Sequence, residues 1–271
     1  MAPAILHTTL THAPWQSPQT ARLPGTIPVA PADWLHVDEM YGPQLAERAR
    51  LIAAAPDRVI DALPEAREAV NELYGEVLQT LAAHPAFEVA GGVIGCPDGR
   101  QVTDAPSRPL ATLGHLTQED FCVLQKPEGA EEHVLSAAVL CFPANWTLAQ
   151  KLGRPLMRIH RPVPEYGPQL GARVQRLFDG IRPIEAGGAI LMRMNAVDHA
   201  TPDLFQTRDE DDPRDQGQGA GRYLRIERQT LRRLPRTGAV IFGIHTSVFD
   251  RATLSPDDAA AFAAHADSLH P

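Results

Sequence analysis

The sequence predicts an α+β protein built on a mainly antiparallel sheet with helices packed on one side, and two observations lead to that class. Apolar runs of strand length recur at 133–143, 189–197 and 238–248, while apolar residues at helical spacing mark 65–83 and 169–181. The two kinds of segment do not alternate regularly, which disfavours parallel strands joined by crossover helices. The chain has 271 residues, 44% of them hydrophobic and 21% charged, enough for one large domain with its own core.

Residues 1–33 are rich in proline and threonine and lack periodicity. They are expected to form an extended arm, pinned by Trp15 and Leu23, on a single domain of residues 34–271. A first helix fits 44–54. A stronger one fits 65–83, where Ala69, Leu73, Val77 and Leu81 share a stripe, Pro64 suits the first turn and Pro85 lies beyond the end. The run FEVAGGVIG at 87–95 reads as one strand. Residues 117–120 place acidic groups where a helix start uses them, so a short helix is expected there, with Glu119 as a cap. A short helix is expected after Trp146, ending at Gly153. In the last strand Val240, Phe242, Ile244 and Thr246 share one face, and Ile241, Gly243 and His245 the other. Residues 206–221 are acidic and almost free of apolar side chains, which predicts a mobile surface loop. Ser255 caps an alanine-rich final helix, with Pro256, Asp257 and Asp258 suited to its first turn.

A net charge of −8 without a basic run argues against nucleic acid and anionic lipid as partners. Cys96, Cys122 and Cys141 lack zinc-type spacing and read as buried, reduced thiols. No signal-type start and no membrane-length apolar run occur, so a cytoplasmic location without membrane contact is expected. The serine-hydrolase elbow, the P-loop, the dinucleotide glycine fingerprint and the paired-histidine zinc helix are all missing. His160 stands out: it sits between Ile159 and a stiff Arg-Pro-Val-Pro segment, and a histidine so restrained suits a metal or haem ligand.

Several blocks carry a resemblance: QED at 118–120, FPANW at 142–146, KLG at 151–153, IHRPVP at 159–164, MRMN at 192–195 and ERQTLRRLPRTGAVIF at 227–242. In order and spacing they resemble the haem-dependent oxidative N-demethylases. The resemblance implies a PAS-like antiparallel sheet with flanking helices enclosing a haem pocket. It also implies one haem b, O2 as co-substrate, and a small amine whose N-methyl group leaves as formaldehyde. Electrons would come from a separate reductase with flavin and an iron–sulfur centre, and this chain has neither cluster-type cysteines nor a nucleotide fingerprint. His160 is the expected iron ligand and His245 the fallback. Glu119 and Glu227 are candidates for placing the amine or relaying protons, and Arg193 and Asn195, two apart on a strand, for donating hydrogen bonds into the pocket. Lys151, Arg158 or Arg161 would meet a haem propionate. Arg228, Arg232 and Arg233 are expected on a solvated face, and the 206–221 loop could dock the reductase. Two departures stand out: Ala196 replaces a family tryptophan and His245 a family arginine, which removes a permanent charge. The alternatives are a haem-based sensor or binding protein without turnover, which iron bound by both His160 and His245 would favour, and a haem-free ligand-binding descendant.

Overall fold

A computed structural model describes residues 3–21, 25–163, 166–212 and 221–269. In chain order its strands are β1 (Ile27–Val29), β2 (Ile60–Ala62), β3 (Glu88–Ala90), β4 (Val93–Gly95), β5 (Gln101–Thr103), β6 (Asp120–Gln125), β7 (Val134–Val139), β8 (Ile190–His199), β9 (Tyr223–Arg233) and β10 (Val240–Asp250). The helices are α1 (Tyr41–Ala54), α2 (Pro56–Val59), α3 (Arg67–Ala83), α4 (Pro109–Leu116), α5 (Leu148–Lys151), α6 (Leu156–Ile159), α7 (Pro168–Gly180) and α8 (Pro256–Leu269). Seven strands form one sheet in the order β1-β8-β9-β10-β6-β7-β2, and every neighbouring pair is antiparallel. This is the predicted α+β class. Strands β3, β4 and β5 form a separate small meander.

Helices cover both faces of the large sheet rather than one. The strands β6 and β9 are buried at almost every position, so each face needs a cover. On one face α1, α3 and α4 bring Leu45, Leu73 and Leu113 onto Phe121, Val139 and Ile241. On the other, α5, α6 and α7 bring Leu148, Leu156 and Phe178 onto Cys122, Leu231 and Val240. The three cysteines are buried free thiols. No helix among the described residues is long and apolar enough to cross a membrane.

Several expectations need correction. The run at 87–95 is a hairpin, β3 to β4, because Gly91 and Gly92 both take positive φ (60° and 76°) and turn the chain. No helix begins at 117–120. Asp120 instead starts β6 with its carboxylate buried, accepting from Arg48 Nη1 (2.7 Å) and the main-chain N–H groups of Cys141 (2.7 Å) and Phe142 (2.8 Å). Strand β9 escapes the sequence reading because RQTLRR is polar, yet Arg228 and Arg232 are buried within the sheet rather than solvated. Arg232 pairs with Glu76 and lies over the Trp34 ring. Arg233, half-buried, bonds to the carbonyls of Phe178, Ile181 and Gly238. Trp15 packs on Phe262 of α8, as a pin for the arm would. Leu23 lies outside the described residues, as do 213–220 of the expected loop. Residues 206–212 are anchored by Glu210, whose side chain is only 6% exposed.

Candidate functional site

Strand pairing sorts the predicted site residues onto two faces. Arg193 of β8 lies opposite Gln229 of β9, Asn195 lies opposite Glu227, and Glu227 lies opposite Thr246 of β10. Paired residues share a face, so these five side chains line the surface that α5, α6 and α7 cover. Met194, Arg228 and His245 are likewise paired and project from the opposite face.

His160 belongs to the first face. It ends α6 at φ −92°, ψ 6°, one residue beyond Ile159, whose side chain packs with Leu231 and Phe242. Its Nδ1 lies 2.8 Å from the Leu156 carbonyl oxygen, so Nδ1 carries the proton and donates. That assignment leaves the Nε2 lone pair free, the arrangement a metal-bound imidazole uses. Burial, with the charges of Lys151 and Arg193 adding to it, lowers its pKa to about 4, so the ring is neutral at pH 7. Tyr166 stacks on it at 4.0 Å and 12° and holds the ring plane.

Around His160 the predicted cations converge. Arg158 (2.7 Å), Arg161 (2.9 Å) and Lys151 (3.6 Å) all approach the carboxylate of Glu210. On the sheet, Arg193 donates to Gln229 Oε1 (2.6 Å), Gln229 donates to Glu227 Oε2 (2.9 Å), and Arg225 donates to Glu227 Oε1 (3.1 Å). Glu227 therefore anchors a polar chain across β8 and β9. Gln229 and Arg225 were missed by sequence reasoning, although reading 223–233 as a strand places both on the Glu227 face.

Glu119 and His245 are not part of this group. On the second face His245 Nε2 donates to Asp38 Oδ2 (2.9 Å) and its Nδ1 lies 3.5 Å from Glu119 Oε1. The second contact is an ion-pair approach without a directed hydrogen bond. Burial alone would lower His245, but the two carboxylates outweigh it and raise the pKa to about 9. His245 is thus a cation at neutral pH. Unlike a permanent charge, this one is lost when pH rises through that value. Glu119 is no helix cap either, since its Oε1 accepts from the His36 main-chain N–H at 2.7 Å. His160 and His245 project from opposite faces and do not converge on one point.

His7, Asp38 and His245 bring three ligand-type atoms within 4.8 Å of one another. Their hydrogen bonds argue for a closed polar network rather than a metal centre. Asp38 already accepts from His7, His245, Gln118 and the Met40 N–H, which fills both oxygens. The Val248 N–H points at His7 Nδ1 (3.2 Å), which keeps the proton on Nε2, where a metal would need the lone pair. Neither His7 nor Asp38 carries a motif, and 31 positions separate them, so sequence gave no signal for this cluster.

The first face thus presents a neutral, restrained imidazole with an unprotonated nitrogen beside cations and apolar side chains. The family model described as haem-dependent oxidative N-demethylase, alpha subunit-like, matches residues 25–270, and the chain belongs to that family. The donor set on the first face is of the kind its cofactor needs: His160 Nε2 carries no proton, Leu156, Leu231 and Phe242 supply apolar surface, and Lys151, Arg158 and Arg161, paired here with Glu210, form a cluster that binds a carboxylate.

Proposed function

We propose that the chain is the haem b subunit of a cytoplasmic monooxygenase that removes an N-methyl group from a small amine, with release of formaldehyde. O2 is the co-substrate, and a separate reductase carrying flavin and an iron–sulfur centre supplies electrons. The observation that carries the reading is the His160 imidazole, with Nδ1–H tied to the Leu156 carbonyl and Nε2 free, on the face that also presents Arg193, Asn195 and Glu227. In this reading the sheet and α5 to α7 would form a PAS-like pocket, His160 would hold the haem iron, and Lys151, Arg158 and Arg161, which here meet Glu210, would hold the haem propionates.

Haem, when bound, supplies the activation of O2 and the oxidation of the methyl carbon. The protein contributes placement and charge. Glu227 receives the cationic amine, and Arg225 and Gln229 fix its two oxygens. Asn195 faces Glu227 across the strands and offers a second polar contact that orients the methyl group. Arg193, half-buried and donating to the Gln229 amide, holds positive charge beside His160 and adds to the burial that keeps that ring neutral. Glu119 has no part here because it lies on the other face. Because His160 and His245 lie on opposite faces, a six-coordinate iron held by both does not support the sensor reading, which would instead be told from turnover by the formaldehyde assay.

The test is the visible spectrum of the purified full chain, followed by reduction and exposure to O2 with N-methylated amines in a formaldehyde assay. His160→Ala is expected to lose the Soret band, and Glu227→Gln to keep it while formaldehyde yield falls about 100-fold, the order of a misplaced substrate. An unchanged Soret band in His160→Ala refutes the ligand assignment. An intact haem that yields no formaldehyde from any N-methylamine refutes the activity.

A further inference from the structure

A cavity of about 310 Å³ opens on the second face, between residues 32–37 and the sheet margin formed by β1, β8 and β9. That size is at the lower end for small-molecule pockets. Its wall has two chemistries. Val29, Leu35, Val37 and Met192 are apolar, and Arg228, His12 and His36 are donors.

Arg228 is the unusual member. The buried arginines Arg48, Arg225 and Arg232 each pair with a carboxylate, Asp120, Glu227 and Glu76 respectively. Arg228 is 5% exposed, yet no carboxylate among the described residues lies within ion-pair distance. Its terminal nitrogens reach only the carbonyls of Asp33 and Trp34. Glu119 and Asp33 act on it only from beyond that distance, and a buried guanidinium without a contact ion pair is costly, a cost that a bound anion relieves.

The imidazoles support the same ligand. His36 makes no side-chain hydrogen bond among the described residues and stands edge-on to His12 (5.0 Å) and His245 (4.9 Å). Its ring nitrogens are available to a ligand, and burial beside the His245 cation keeps it neutral. Asp33 is the one carboxylate on the wall, and it is exposed, so water and salt screen its repulsion. A bare inorganic ion would leave four apolar side chains uncovered. An acid with a hydrocarbon or aromatic body covers them and places its carboxylate on the guanidinium.

We infer that this cavity binds a small carboxylic acid with an apolar body, its carboxylate held by Arg228 and His36 and its body by Val29, Leu35 and Met192. The site is separate from the His160 face, and the inference stands whether or not the proposed demethylation occurs.

The experiment is calorimetric titration of the purified full chain, carrying whatever haem it retains, with benzoate, hexanoate, acetate and hexylammonium. Benzoate and hexanoate are expected to bind at one site per chain, acetate at least about tenfold more weakly, and hexylammonium not at all. Arg228→Gln is expected to weaken benzoate at least about tenfold. Because Arg228 also holds the 33–34 main chain, Val29→Trp serves as a second variant: it fills the cavity from the β1 edge, leaves the arginine in place, and is expected to abolish binding. Equal binding of benzoate by both variants and the unaltered chain, competition by hexylammonium, or no saturable binding overturns the inference. So does a benzoate-induced change in the haem spectrum, which would place the acid at iron.

Discussion

The cluster around His245 makes stability depend on pH with a definite sign. His245 rises from an ordinary 6.5 to about 9 in the folded protein because Asp38 and Glu119 outweigh the effect of its burial. A group that binds its proton more tightly when folded stabilises the fold fully below pH 6.5, and that contribution is lost as pH rises through 9. At about 1.4 kcal/mol per pH unit, the gap corresponds to about 3 kcal/mol. With a urea dependence of about 3 kcal/mol per molar for a chain of this size, the unfolding midpoint falls by about 1 M between pH 6.5 and pH 10. His36 and His160 act in the opposite direction and elsewhere. Both drop to about 4 on folding, chiefly through burial, so their contributions are complete above pH 6.5 and are lost as pH falls towards 4. Stability therefore peaks near pH 6.5, and His245 governs the alkaline limb. The discriminating variant is His245→Arg, which keeps a cation between Asp38 and Glu119 at every pH in the window. Urea unfolding followed by far-UV circular dichroism at pH 6.5, 8 and 10 is expected to show the fall in the unaltered protein and little or none in His245→Arg. A flat alkaline limb in the unaltered protein, or an equal fall in the variant, refutes the charge assignment.

Other perturbations test the same physics. Asp120→Asn leaves the fully buried Arg48 without its counter-charge and puts a donor in place of the acceptor for one of two main-chain N–H groups, so a loss of about 3–5 kcal/mol is expected in urea unfolding. Glu210→Gln releases Lys151, Arg158 and Arg161, and limited proteolysis is expected to cut within 206–212 faster while the global midpoint moves by less than about 1 kcal/mol. Gly92→Ala places a Cβ on a residue at φ 76° in the β3 to β4 turn, and is expected to cost about 1 kcal/mol by the same unfolding assay.

The long apolar strands and amphipathic helices were legible because burial on one or two faces writes a period into the sequence. Strand β8, read from 189–197, spans Ile190–His199, and α7, read from 169–181, spans Pro168–Gly180. The central strand β9 was not legible. Its arginines, glutamate and glutamine are buried with internal partners, so the local composition mimics a solvated surface. The same cause hid β6, where acidic residues at the start of a strand look like a helix N-terminus until their acceptors are known. Arg48 at β6, and Glu76 and the Phe142 carbonyl at β9, lie 70 or more positions away, which no local window contains.

The site was legible in type and less so in arrangement. An imidazole beside Arg-Pro-Val-Pro reads as a restrained side chain, which it is, and the alternation of Arg193 and Asn195 puts both on one face. Which face each remaining candidate occupies depends on register alone. Shifting the alignment of β9 and β10 by one residue would exchange Glu227 with Arg228 and move His245 to the His160 side. The observed register places a carboxylate, an amide and a restrained neutral imidazole on one side. On the other side it places a charged imidazole between two carboxylates and an arginine without one. The sheet therefore insulates two sites of opposite electrostatic character, and substitutions at His245 or Arg228 are expected to leave the His160 ligand field, read by the visible spectrum, unchanged. A shifted Soret band in His245→Arg would mean that the two faces are coupled through the strands.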